Sequence, residues 1–374
     1  MEINGFCDPG FLPLRDAFIE NFEVDGEVGA AIALIVGDRV VVDLWGGHRD
    51  WAKQLPWQED TLVNVFSIGK AMATLAVLDL VETGALDVDE TVSTYWPEFA
   101  ASGKESITVR QLMSHRAGLP SVRKRLPDHA MFDWDFMTEA LAEMAPWWEP
   151  GTAHGYHVNT FGFLLGELVR RVTGSSIGTW FRKNIAGPLG ADFFFGLPEE
   201  LDHRVAEFLN HGPTQTFSVP EGTEEEKLMV PFAYINPPAF SGQGVVNTRE
   251  WRAAEIPSTN GHSNARAVAT IYAALLQGKL ISLETLDAAI EQQVYGHDLI
   301  LDRNTRFGLG FQLTQDERRL GPNARTFGHF GAGGALGFAD PDLQLAFGYT
   351  MNVMGPRWQN PKNRRLIDAI YTCD

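Results

Sequence analysis

Apolar residues fall in short continuous runs near both ends of the chain and at helical spacing through its middle. Residues 30–36 (AAIALIV) and 39–45 (RVVVDLW) are β-rich runs joined at Gly37-Asp38, a two-residue hairpin signature. Toward the far end, residues 307–313, 335–339 and 343–351 predict three more strands, with Asp340-Pro341-Asp342 turning the last two. The spacing predicts helices over 71–81, 134–144, 160–172, 263–277 and 283–293, and a final one over 363–371. The first of these is apolar almost all round, as a buried helix is. Thr108 and Gln111 have capping-box spacing, with Gly118 placed to end the helix between. Residues 199–261 are rich in Pro and Gly, carry an acidic run at 224–226 and show no sustained period. A loop of that length in a compact protein is functional or mobile.

A helical block between N- and C-terminal strands predicts an α/β protein of the α+β type. Its antiparallel sheet is built from both chain ends and flanked by helices. Residues 1–66 and 300–374 are expected to form this sheet lobe, residues 67–299 a mainly helical lobe, and the active cleft to lie between them.

Charge narrows the function. The chain has 30 Lys+Arg against 48 Asp+Glu, a formal charge of −18, which repels phosphate backbones and anionic lipid. Neither nucleic acid nor membrane is an expected partner, and no apolar run approaches the ~18–20 residues of a span. The start, MEINGFCDPG, has no basic n-region and no apolar h-region, so a cytoplasmic location is expected. Cys7 and Cys373 read as two ordinary thiols.

Three serine motifs compete as nucleophile. Ser67-Ile68-Gly69-Lys70 opens the buried helix, and residues i and i+3 share a face, so the Lys70 amine can reach the Ser67 hydroxyl. A hydroxyl needs a neighbouring base, and a desolvated lysine, neutral near pH 7, supplies one. On the tetrapeptide alone, an N-cap serine with an incidental lysine is the simpler account. Ser121-Val122-Arg123-Lys124 has the same spacing, but lies between Pro120 and Pro127 in a basic cluster and reads as a solvated loop. Gly174-Ser175-Ser176-Ile177-Gly178 matches G-x-S-x-G, yet a nucleophile elbow needs a preceding strand, and residues 161–172 have helical period. Ser176 is therefore expected to be a decoy, with Ser175 or Ser176 an N-cap.

Other residues break the tie. In order come Ser67-Ile68-Gly69-Lys70, the run 107–115 (ITVRQLMSH), Trp148-Glu149-Pro150-Gly151, Gly155-Tyr156-His157 and Gly328-His329-Phe330-Gly331-Ala332-Gly333-Gly334. This ensemble resembles the serine β-lactamase-like superfamily, which comprises class C β-lactamases, DD-peptidases and family VIII carboxylesterases, over about residues 28–354. The resemblance implies a β-lactamase/transpeptidase-like fold, Ser67 as acylated nucleophile, Lys70 as its partner and Tyr156 in proton transfer. It also implies an oxyanion hole from the Ser67 and Ala332 N–H groups, with His329, Phe330, Gly331 and Gly333 on the substrate-lining strand.

Two departures matter. Where β-lactamases and DD-peptidases usually have K-T-G, this chain has His329-Phe330-Gly331, which resembles the esterase branch and supplies no permanent cation. A hydrogen-bonded structural histidine is the plain alternative for His329. In place of Y-x-N stands Tyr156-His157-Val158, with Asn159 one position late; sliding the register by one would put His157 at the catalytic place. The Trp147-Trp148 segment would approach the cleft. No H-E-x-x-H, P-loop or dinucleotide fingerprint occurs, so neither metal nor organic cofactor is expected. The resulting expectation is a serine hydrolase acting on a small-molecule ester, short-chain or aryl. Its alternatives are a β-lactamase, a peptidase or amidase, an acyltransferase, and an inactive binding module. The sequence carries no signal for oligomeric state.

Overall fold

The first hairpin forms where the pattern places it. Val36 and Arg39 pair across Gly37-Asp38, and Gly37 takes φ +61°, open to glycine at no steric cost. The structure, a computed structural model, describes residues 2–210, 219–238 and 245–373. Residues 211–218 and 239–244 of the aperiodic stretch lie outside these, as do the two end residues.

Nine strands among the described residues make the main sheet. In chain order they are β1 (Ile3–Cys7), β2 (Gly29–Val36), β3 (Arg39–Gly47), β4 (Val294–Asp298), β5 (Arg303–Phe307), β6 (Gln312–Leu313), β7 (Phe327–Phe330), β8 (Leu336–Asp340) and β9 (Leu345–Met351). Their spatial order is β1-β3-β2-β9-β8-β7-β6-β5-β4, antiparallel throughout. The last strand therefore lies beside the first hairpin, in register from Leu345 opposite Val36 to Met351 opposite Ala30. Both chain ends meet in one antiparallel sheet, as expected.

Seven helices of eight or more residues accompany it among the described residues: α1 (Leu12–Val24), α2 (Ile68–Glu82), α3 (Trp134–Glu143), α4 (Thr160–Thr173), α5 (Ala265–Leu276), α6 (Leu283–Ile290) and α7 (Pro361–Ile370). None is long and apolar enough to cross a membrane. Side chains alternate along β9, which shows how the sheet is covered. A Cβ on Gly348 would stand 2.2 Å from the Ala265 carbonyl oxygen, so α5 lies directly on that face. The next side chain, Tyr349, turns the other way to Glu27, which also meets Lys362 of α7. Helices thus cover both faces, and β2 and β9 read as unbroken apolar runs because neither side meets water. Helix α2 is buried almost all round and packs against α4.

Several expectations need correction. Residues 307–313 are not one strand: β5 ends at Phe307, and Gly308-Leu309-Gly310, with Gly310 at φ +72°, turns the chain before β6. The capping box at Thr108 and Gln111 forms, but its helix, Val109–Met113, stops at Ser114. The left-handed residue there is His115, at φ +62°, not Gly118. The helix expected over 283–293 ends at Ile290 because Glu291 is extended. Strands β1 and β4 lie at the two sheet edges and carry no clean apolar alternation, so the pattern missed both; it also missed α1 and, apart from Phe307, the polar β5. Helix α5 packs on the sheet and β4 belongs to it, so residues 265–298 join the sheet side rather than the expected 67–299 lobe.

The Glu27–Lys362 pair ties together residues 335 positions apart, both buried, with Tyr349 Oη also bonded to Glu27. Lys362→Met leaves a buried carboxylate without its cation and should cost about 3–5 kcal/mol. Urea unfolding monitored by tryptophan fluorescence should show the loss, and adding Glu27→Gln should recover much of it.

Candidate active site

The chain enters α2 through a strained residue. Phe66 takes φ +48°, rare for an aromatic side chain, and Ser67 follows as N-cap residue without a capping bond from its hydroxyl. One turn on, Lys70 Nζ lies 3.2 Å from Ser67 Oγ. Lys70 is fully buried and also donates to the Val158 carbonyl at 2.6 Å and the Ser258 carbonyl at 3.0 Å. No carboxylate among the described residues pairs with it, and burial holds the amine well below its usual lysine range. A neutral amine has two protons and one lone pair. The two carbonyls take the protons, which leaves the lone pair for the Ser67 hydroxyl.

The Ser258 carbonyl reaches Lys70 because residues 257–258 run against two glycines. A Cβ on Gly69 would stand 2.2 Å from Pro257 O, and one on Gly162 of α4 would stand 2.4 Å from Ser258 N. Ser258 Oγ accepts the Gly162 N–H at 2.6 Å, and Asn260 bonds Ile256 N, Trp251 O and Ala254 O. No local motif announces Ser258 or Val158, since each contributes only a main-chain carbonyl.

Tyr156 is fully buried, with its ring centroid 4.6 Å from Lys70 Nζ. The rings of His115, Phe307 and Trp358 pack around it. Its Oη has no partner in hydrogen-bonding geometry among the described residues. Burial drives the phenol well above its ordinary value, and the nearby Ser67 hydroxyl opposes that rise. His157 faces elsewhere: Nδ1 is 2.7 Å from Gly155 O, and Nε2 accepts the Leu119 N–H at 3.1 Å. Both its ring nitrogens are occupied. Asn159 donates to Ala233 O rather than to Lys70.

His329 is fully buried in β7 and does not line the cavity over Ser67. Its Nδ1 is 2.8 Å from Phe330 O and so carries the proton, while Nε2 has no partner among the described residues. Burial, with the Lys70 amine nearby, pushes its pKa down to about 3, so the ring is neutral. Phe330, Gly331 and Gly333 are likewise absent from the cavity wall, whereas Ala332 forms part of it. Gly331 has a packing reason to be glycine: a Cβ there would stand 2.5 Å from Val65 O, two residues before Ser67. Gly333, at φ +79°, turns the chain, and Asn360 at the start of α7 donates to its carbonyl at 3.0 Å.

The cavity measures 670 Å³. Ser67, Tyr156, Ala332, Phe66 and Trp358 form part of its wall, and residues of 219–235 supply much of the rest. No Lys, Arg, Asp or Glu side chain lines it among the described residues. The aperiodic stretch therefore shapes the cavity. Neither Trp147 nor Trp148 reaches it; Trp147 donates to Ser121 O, and Trp148 packs on His157.

The competing serines lie elsewhere. Ser176 caps the short helix Ile177–Phe181 and donates to Glu255, after α4 and a left-handed Gly174, so it is no elbow. Ser121 corrects an expectation: it is buried and donates to Met229 O rather than standing in a solvated loop, although Lys124 is exposed. No group of three or more metal-ligating side chains occurs among the described residues.

The family model described as Beta-lactamase matches residues 15–372. The chain belongs to the beta-lactamase family. It is similar to a family VIII carboxylesterase of known crystal structure, at 40% identity and TM-score 0.92, with both chains fully covered. A penicillin-binding protein homolog from Caulobacter crescentus superposes with TM-score 0.91 at 38% identity, again over both full chains. The esterase/beta-lactamase LipL of Mycobacterium tuberculosis is 32% identical over 93% of this chain and 82% of its own. The β-lactamase/transpeptidase-like fold is thus established, and this family member is a hydrolase by kind.

Burial holds four histidines neutral, each below the ordinary 6.5: His157, His262 and His329 at about 3, and His115 also well below that ordinary value. On acidification the unfolded chain binds these protons first, so stability falls as pH drops below about 6.5. Each histidine adds a slope of up to about 1.4 kcal/mol per pH unit until its folded pKa is reached. Urea midpoints at pH 7.5, 6 and 5 should fall progressively; a flat series would contradict the burial assigned to these rings.

Proposed function

We propose that this protein is a carboxylesterase that cleaves neutral short-chain or aryl esters through a Ser67 acyl-enzyme. One observation carries the reading: the buried Lys70 amine lies 3.2 Å from Ser67 Oγ, at the floor of a cavity with no charged side chain among its described lining residues. The esterase activity in the names of two of the three relatives supports the same reading.

In the proposed cycle, Ser67 Oγ attacks the ester carbonyl carbon while its proton passes to the neutral Lys70 amine. The tetrahedral oxyanion accepts the Ser67 and Ala332 main-chain N–H groups, a contribution of about 3–4 kcal/mol per donor at comparable sites. The C–O bond to the alcohol then breaks. Tyr156 gives its phenolic proton to the departing alkoxide and regains one from the Lys70 ammonium. Water repeats the sequence on the acyl-enzyme and releases the acid. The high pKa of the buried phenol suits it to donating a proton to an alkoxide. His329, Phe330, Gly331 and Gly333 support this site from behind Ala332, with His329 uncharged. With His329 neutral and outside the cavity wall, and no charged side chain among the described lining residues, the site offers no cation for the carboxylate of a β-lactam, which favours esters over β-lactams.

Ester hydrolysis should exceed nitrocefin hydrolysis by orders of magnitude in steady-state assays with p-nitrophenyl butyrate; comparable rates would overturn the preference. Ser67→Ala and Lys70→Met should each abolish turnover, and a fluorophosphonate should label Ser67 alone by peptide mass spectrometry. Tyr156→Phe should cost about 10²–10⁴ in kcat, and His157→Ala far less. Because Lys70 acts as the free amine and burial lowers its pKa, kcat/KM should rise with pH along a limb well below the lysine range of 10.5. A midpoint near 10.5 would refute that role.

A further inference from the structure

Tyr156 is held from behind by a residue 142 positions away. Asp298 ends the edge strand β4 and is fully buried. Its Oδ1 accepts the Tyr156 main-chain N–H at 3.0 Å, together with those of Ile300 and Leu301 at 2.9 Å each. Its Oδ2 accepts the Thr305 hydroxyl at 3.1 Å. Since Thr305 donates there, its oxygen accepts from His154 Nε2 at 2.8 Å, and the Leu299 N–H donates to His154 O at 3.1 Å. Residues 154–156 are thus joined to β4, its turn and β5 by three hydrogen-bonded links.

A carboxylate that only shaped the turn after β4 would need the Ile300 and Leu301 N–H groups and nothing more. The bond to Tyr156 is additional, long-range and made by an anionic acceptor, which is the stronger kind. It falls on the backbone of the one residue whose ring lies against Lys70. Every group on Asp298 is a neutral donor, and no ion pair to it occurs among the described residues. Direct hydrogen bonds from neutral donors carry much of the burial of this charge, with Arg303 acting on it from farther away, and one of those bonds ends at the phenol's own residue.

We propose that Asp298 is the positioning residue that sets the Tyr156 phenol against Ser67 and Lys70, by fixing the Tyr156 main-chain N–H to the sheet edge. The assignment rests on Tyr156 as the proton carrier of the proposed cycle. Asp298 touches no reacting atom. It acts through the main chain of Tyr156, and a displacement of that ring by a fraction of its width slows a step that depends on alignment.

A double-mutant cycle with p-nitrophenyl butyrate tests this, with active sites counted by fluorophosphonate endpoint labelling so that misfolded protein is excluded. Asp298→Ala should lower kcat by about 10- to 100-fold with KM within about threefold. Asp298→Asn, which keeps an oxygen acceptor at the same place, should stay within about threefold of the parent kcat. In a Tyr156→Phe background, Asp298→Ala should change kcat by less than about twofold, because its route to catalysis is already cut. An equal drop in both backgrounds, or an undiminished kcat in Asp298→Ala, would overturn the positioning role while leaving Tyr156 in place. A fully active Tyr156→Phe enzyme would remove the Tyr156 assignment, and this proposal with it.

Discussion

A lysine amine without a counterion stands where three distant chain segments meet. Ser67 opens α2, Val158 precedes α4, and Ser258 lies near the end of the aperiodic stretch, and each offers Lys70 one oxygen. Burying an unpaired ammonium is prohibitive, so the site is stable only with the amine neutral and both its protons bonded. That requirement fixes the segments relative to one another. Gly69 and Gly162 let the 257–258 backbone approach, and the Asn260 bonds keep it there. The environment of the proposed base is therefore a product of tertiary packing rather than of the tetrapeptide that contains it.

The same burial acts on the neighbours of Lys70. Tyr156 stays a phenol, and His329 stays an unprotonated imidazole with its proton on Nδ1. The centre carries no formal charge in its resting form, although the whole chain carries −18. In the proposed cycle, polarity at the reacting atoms comes instead from main-chain N–H groups and the N-terminal end of α2, dipoles that need no counterion and little reorganisation.

Much of this was legible in the sequence, for physical reasons that also mark the limit. The hairpin at Gly37-Asp38, the all-apolar α2 and the order of motifs from Ser67 to Ala332 are local patterns, and local patterns carry sheet, helix and family. The elbow test was equally local: a helix before Gly174 sufficed to set Ser176 aside. Ser258 and Val158 left no trace, because a main-chain carbonyl has the same chemistry whatever side chain it bears. Asp298 carried no local signal, since its strand β4 was itself missed and its long bond to Tyr156 depends on the sheet edge meeting residues 154–156. The edge strands β1 and β4 escaped because a strand paired on one side need not alternate. His329 was read toward the substrate from its motif, whereas its seat inside β7 follows from strand pairing with β8 and β6.

The uncharged cavity bears on what happens after the chemistry. The proposed hydrolysis turns a neutral ester into an acid that is ionised at neutral pH. Within 670 Å³ of largely apolar wall, the new carboxylate finds no described cation to answer it, while bulk water solvates it fully. The surrounding protein is itself strongly anionic. On the proposed reaction, ionisation of the product thus favours its departure, and a cavity suited to a neutral ester has little hold on the acid formed from it.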